Sequence, residues 1–180
     1  MQKKYIYFAA GAVILILGVS AYLAAKPPRR MSDIPGMSDI QKRPLVQNGI
    51  YQNKKYGFSI AIPEGFKVTE NNPDEDTFVV LVETDKPEEK RSFQIFVMPF
   101  DEPGPVNKER ILIDLPDAVV DDPREITLAG VPALVFWGSD ESLGKTREVW
   151  FIHSGSMFQI SSYASFDEEL SKIMATFKFQ

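Results

Sequence analysis

From Phe78 to Tyr163 the chain repeats one device: an apolar run of strand length, an interruption, then a second apolar run. "FVVLVE" (Phe78–Glu83) is followed by "FQIFVM" (Phe93–Met98), and "EITL" (Glu125–Leu128) by "PALVFW" (Pro132–Trp137). The third pair is Arg147–His153 and Met157–Tyr163. Parallel neighbours need a crossover of a dozen or more residues, far more than the gaps after Leu128 and His153 provide. The sheet is therefore expected to be mostly antiparallel. Upstream, "YGFSIAIPEGF" alternates Phe58, Ile60 and Ile62 ahead of a Pro63-Glu64-Gly65 turn, which reads as a further strand.

Two segments read as helices. "NKERILIDL" offers Asn107 as an N-cap and turns Ile111 and Leu115 onto one side. In "SFDEELSKIMATFKF", Ser165 and Glu168 have capping-box spacing, and Asp167, Glu168 and Glu169 suit the positive end of a helix dipole. Phe166, Leu170, Ile173, Met174 and Phe177 then form one apolar stripe. "FVVLV", "ALVFW" and "VWFI" are apolar at consecutive positions, so their strands should be buried on both faces. The expected architecture is an α+β sandwich: one mostly antiparallel β-sheet flanked by helices on both faces. A domain of this size buries about two-thirds of its unfolded surface, enough to be stable alone.

Three stretches also resemble the PsbP-like family: "YGFSIAIPEGFKV", "ITLAGVPALVFWG" and "REVWFIHSGSMFQISSYASFDEELSKIMATFKF", in that order between about Ile50 and Gln180. That family includes the extrinsic PsbP protein of photosystem II, its bacterial and plastid relatives, and a Ran-binding nuclear-import factor. The resemblance implies an antiparallel sheet flanked by helices and a non-enzymatic accessory or binding domain. It does not imply photosynthesis, and no functional residue is carried over from it.

The N-terminal region has a different character. Tyr5–Ala25 is 21 consecutive residues without a charge, flanked by Lys3 and Lys4 before and by Lys26, Arg29 and Arg30 after. At 1.5 Å per residue this gives ~30 Å of helix, the thickness of a bilayer's hydrocarbon core. "VSA" at Val19–Ala21 would suit a signal peptidase, but the run exceeds the 7–15 residues of a signal core, so an uncleaved anchor is expected. The resulting organisation is a short tail (1–4), a transmembrane helix (5–25), a flexible linker (26–48) containing Met-Ser-Asp-Ile twice, and a folded domain (49–180). A very short tail ahead of a long domain reads as a signal anchor. The expected location is the cell membrane of a bacterium, single-pass, with the C-terminal domain extracytoplasmic.

Charge supports this division. Residues 1–43 carry seven Lys/Arg against two Asp, whereas residues 44–180 carry 13 Lys/Arg against 23 Asp/Glu. An acidic body repels phosphate backbones, which argues against a nucleic-acid partner. The chain has no cysteine and a single histidine, so thiolate chemistry and multi-histidine metal sites within one chain are excluded. The acidic runs "NNPDED" and "DAVVDDP" lack the ligand spacing of a calcium loop. No cofactor, metal or catalytic set is expected.

The lone histidine stands in His153-Ser154-Gly155-Ser156. A hydrolase would need the serine within reach of the imidazole, but neighbours on a strand point to opposite faces. A two-residue hairpin loop at Ser154-Gly155 accounts for the same residues, with His153 opposite Ser156, Phe151 opposite Phe158 and Val149 opposite Ile160. Trp137 and Trp150 complete the candidates: either could anchor a partner or line an apolar pocket, while core packing on doubly covered strands accounts for both residues first. Trp137, Trp150 and His153 are therefore the candidate interaction surface. The function expected is a non-catalytic accessory domain binding a protein of the cell envelope; the alternatives are a module for a lipid or small apolar ligand and, third, a hydrolase using His153.

Overall fold

The computed structural model describes residues 45–180 apart from Glu75, Pro103 and Ser142. The expected transmembrane helix over residues 5–25 lies outside the described residues. Among the described residues no helix is long and apolar enough to cross a membrane. The compact unit runs from Leu45 to Gln180 and so takes in Leu45–Asn48, which the sequence reading left in the linker.

Among the described residues, eleven strands and two short α-helices follow in the order β1 (Val46–Gln47), β2 (Ile50–Asn53), β3 (Phe58–Ala61), β4 (Phe66–Asn71), β5 (Phe78–Thr84), β6 (Ser92–Pro99), α1 (Lys108–Asp114), β7 (Asp121–Leu128), β8 (Val131–Asp140), β9 (Gly144–His153), β10 (Ser156–Tyr163), α2 (Asp167–Met174) and β11 (Lys178–Phe179). They form two sheets. The larger has the order β4-β5-β6-β10-β9-β8-β7 and the smaller β1-β2-β3-β11. Every pairing is antiparallel. The mostly antiparallel α+β class is as expected, but there are two sheets rather than one. The small sheet is hard to see in sequence because β1 and β11 are only two residues each.

The β9–β10 hairpin has the register expected from its apolar pairs. His153 lies opposite Ser156, Phe151 opposite Phe158 and Val149 opposite Ile160. Ser154 (φ +49°) and Gly155 (φ +73°) are both left-handed, the backbone that a two-residue type I′ loop demands. Ala129 (φ +49°) and Gly130 (φ +86°) turn β7 into β8 in the same way.

Alternation along the strands assigns two faces to the large sheet. Phe78, Val80, Phe93, Ile95, Val149, Phe151, Phe158 and Ile160 point to the first face. There they meet Tyr51, Phe58 and Ile60 of the small sheet and Ile62 just after it, together with Phe166, Leu170, Ile173, Met174 and Phe177. The whole predicted apolar stripe is thus in the core. Its helix ends at Met174, and the expected capping box does not form. A 3-10 turn, Ala164–Phe166, precedes α2, and Phe166 occupies the cap position while its ring is buried. Ser165 is exposed within that turn and gives α2 no side-chain cap. Asp167, Glu168 and Glu169 nevertheless sit in the first turn, where the dipole favours them.

The second face carries Val79, Phe96, Leu134, Phe136, Trp150 and Met157, all buried. Burial there requires a cover. The 21-residue connection between β6 and β7 supplies it, with Phe100, Val106, Ile111 and Val120 buried outside the main core. Helix α1 within it starts as expected, Asn107 Oδ1 accepting from the Arg110 backbone N–H at 2.9 Å. Yet only Ile111 of α1 is buried. The expected flanking by helices on both faces is thus not clearly met: the first face is covered by the small sheet and one helix, α2, and the second mostly by an irregular segment.

Candidate functional site

The three candidate residues separate. Trp137 lies on the first face, half-buried, directly opposite Arg147 on β9. The Arg147 guanidinium stacks 3.3 Å from the centre of the indole. Its Nε and Nη2 donate to Asp167 Oδ1 and Oδ2 at 2.6 and 3.1 Å, a two-pronged pair that ties the sheet to the start of α2. Lys145 Nζ approaches the same ring to 4.6 Å. A second pair, Arg91 to Glu169 at 3.2 and 2.7 Å, holds α2 from the β6 side.

Beside the Arg147–Asp167 pair a cavity of about 90 Å³ opens between the sheet and α2, lined mainly by Ile126, Val135, Val149, Leu170 and Met174. Ile126 at its rim is 41% exposed, one of few large apolar side chains left in water. It stands on β7, whose first seven residues are all exposed. That edge strand is protected against indiscriminate pairing by Pro123 and by a bulge between Asp121 and Arg124.

Trp150 is on the opposite face and buried, so it is no part of a surface with Trp137. Its Nε1 donates to Glu148 Oε2 at 3.1 Å, and its ring meets Phe136 edge-on at 5.4 Å. His153 closes β9, half-buried, with its imidazole stacked on Phe179 at 3.6 Å and 20°. Burial lowers its pKa, favouring the neutral ring. Ser154 is exposed in the loop and Ser156 starts the returning strand. The histidine belongs to a packed hairpin end, and the geometry gives it a stacking partner rather than a nucleophile.

Sequence reasoning missed Arg147, Asp167 and Ile126. The available signal was phase: Arg147 shares the inward face with Val149 and Phe151, and a cation in that position needs a partner. Glu148 was missed as well, although it shares the second face with Trp150 and is buried.

No family model matches the sequence, and no curated protein does. Among solved structures, the solution structure of cyanobacterial PsbP (CyanoP) from Synechocystis is similar, with a TM-score of 0.54 over 73% of this chain and 91% of that one. Sequence identity is 9%, so the likeness is one of fold. The described domain has a PsbP-like fold.

Proposed function

We propose that this chain is a membrane-anchored accessory domain, held outside the cytoplasm, that binds a protein of the cell envelope without catalysis. The observation that carries the reading is the Trp137 face: a half-buried indole under Arg147, beside an open apolar cavity with Ile126 at its rim. Tryptophan and arginine next to a small apolar pocket are what interface hot spots are made of. The PsbP-like fold is compatible with an accessory role but does not name the partner. The uncharged run Tyr5–Ala25 supports the anchor.

The cavity also weighs against the second reading, a lipid or small apolar ligand. Its roughly 90 Å³ is smaller than a cavity of about 150 Å³ that admits benzene, and suits a single aliphatic side chain better than an acyl chain. If a ligand were bound, non-denaturing mass spectrometry of the purified chain would show added mass; the expected result is the bare chain.

A photoreactive amino acid in place of Ile126 should crosslink one partner in membranes, and the same probe at Glu64, in the turn before β4, should not. The crosslink should be lost on Trp137→Ala with circular dichroism unchanged. Equal crosslinking at both positions, or none at Ile126, would remove this face from the proposal. Protease added to intact cells should digest the domain; protection until lysis would overturn the placement.

A further inference from the structure

The second face contains a polar row that the proposed binding face does not use. Gln94, Ser161 and Glu148 stand directly opposite one another on β6, β10 and β9, with Gln159 opposite Trp150 in the next row. All four polar side chains are more than nine-tenths buried: Gln94 is 4% exposed, Ser161 5%, Glu148 6% and Gln159 8%. The Glu148 carboxyl accepts from Ser161 Oγ at 2.5 Å and from Trp150 Nε1 at 3.1 Å, and the Thr146 hydroxyl is a third donor. These three donors are neutral. Gln159 Nε2 is buried without a hydrogen-bond partner among the described residues. There is little slack, because Gly138 on β8 comes so close that a methyl group there would lie 3.0 Å from Glu148 Cγ.

Among the described residues, the charge that acts on Glu148 is itself negative. Asp140, on β8, disfavours a negative charge at Glu148. Tyr163, on β10, interacts with Asp140 and with Glu83 of β5. In the covering segment Arg110 is bridged to Glu102 at 2.5 Å and stacks on Phe100. A carboxylate in this row would be a buried anion whose donors among the described residues, Ser161, Trp150 and Thr146, are neutral dipoles, which is costly in a low-dielectric interior.

We propose that Glu148 is a proton-binding site built into the second face, a neutral acid while that face is closed, whose ionisation loosens the segment covering it. In the acid form the Glu148 O–H donates to Ser161 Oγ, whose own hydrogen is free to rotate towards the row's other acceptors. In the ionised form the charge is buried, and the equilibrium shifts towards states in which the cover opens it to solvent. Burial is the largest influence and pushes the carboxyl's pKa up, while the three hydrogen bonds pull it down. The sign follows. A folded-state pKa above the unfolded value stabilises the domain fully below the ordinary glutamate range, and that contribution is lost as pH rises through the folded value. The second face is tightest in acid.

Trp150 reports on this directly, because its Nε1 touches the group. In the full chain in detergent, Trp137→Phe leaves Trp150 as the only indole. Its emission should then titrate with a midpoint above the ordinary glutamate value of 4.5. Glu148→Gln should abolish the titration, and Ser161→Ala, by removing a donor to the anion, should move the midpoint higher. Hydrogen exchange at the Ile111 and Leu115 amides of the cover should outpace that of the Glu148→Gln variant above the midpoint and match it below. A midpoint at or below 4.5, a titration that survives Glu148→Gln, or equal exchange at every pH would overturn the proposal.

Discussion

Replacing Phe158 by alanine is expected to cost the domain about 3–5 kcal/mol, the range for emptying a fully buried aromatic site. Phe158 is 1% exposed. Its ring stacks on Phe151 at 4.8 Å and meets Phe58, Tyr56 and Phe179 edge-on at 5.8, 6.5 and 5.9 Å. These partners come from both sheets, so the cavity left behind cannot be closed by one strand shifting. Urea unfolding followed by tryptophan emission should show a lower midpoint with an unchanged slope. Phe158→Leu, which keeps most of the volume, should lose much less. A loss under about 1 kcal/mol for the alanine variant would mean that the two sheets do not share this core.

Gly138→Ala should be the most damaging small-to-large change, at about 1–3 kcal/mol for overpacking a filled site. The added methyl group would lie 2.7 Å from Thr146 Oγ1 and 3.0 Å from Glu148 Cγ. Neither neighbour can withdraw easily, since Thr146 is 1% exposed and Glu148 is held by its hydrogen bonds. Thr146→Ala in the same chain should restore part of the loss, because it removes the nearer clash. The double-mutant cycle should therefore show a favourable coupling between the two sites. Strict additivity in the thermal or urea midpoints would show that the clash is relieved elsewhere.

How far the sequence predicted this fold depended on the length scale of each signal. Phe151, Val149, Phe158 and Ile160 fixed a hairpin register because side chains alternate and a Ser-Gly loop leaves few choices. The stripe from Phe166 to Phe177 was legible for the same reason, being local and periodic. Ser165 misled, because capping-box spacing says nothing of a 3-10 turn entered so that Phe166 can reach the core. Val46–Gln47 and Lys178–Phe179 were invisible as strands, since two residues carry no period, and the partner of Lys178–Phe179 is also distant in sequence. At the candidate site, Trp137 was found by residue type alone. Its meaning came from Arg147 and Asp167, and the distance between them in sequence leaves no pattern to read. Trp150 looked equivalent to Trp137, yet its position on β9 put it on the opposite face.

Lys178–Phe179 pair with Phe58–Ser59, and Phe177 stacks flat on Phe58 at 5.2 Å. An early strand and the last strand of the domain are thus sewn together across most of its length. Closing so long a loop is entropically expensive, and contacts of this separation form late. During synthesis, Phe58 waits with its stacking partner still unmade. The core is therefore completed only after Phe177–Phe179 have emerged. Replacing Phe177 and Phe179 by alanine should leave a domain whose two sheets fail to lock, seen as a lower urea midpoint.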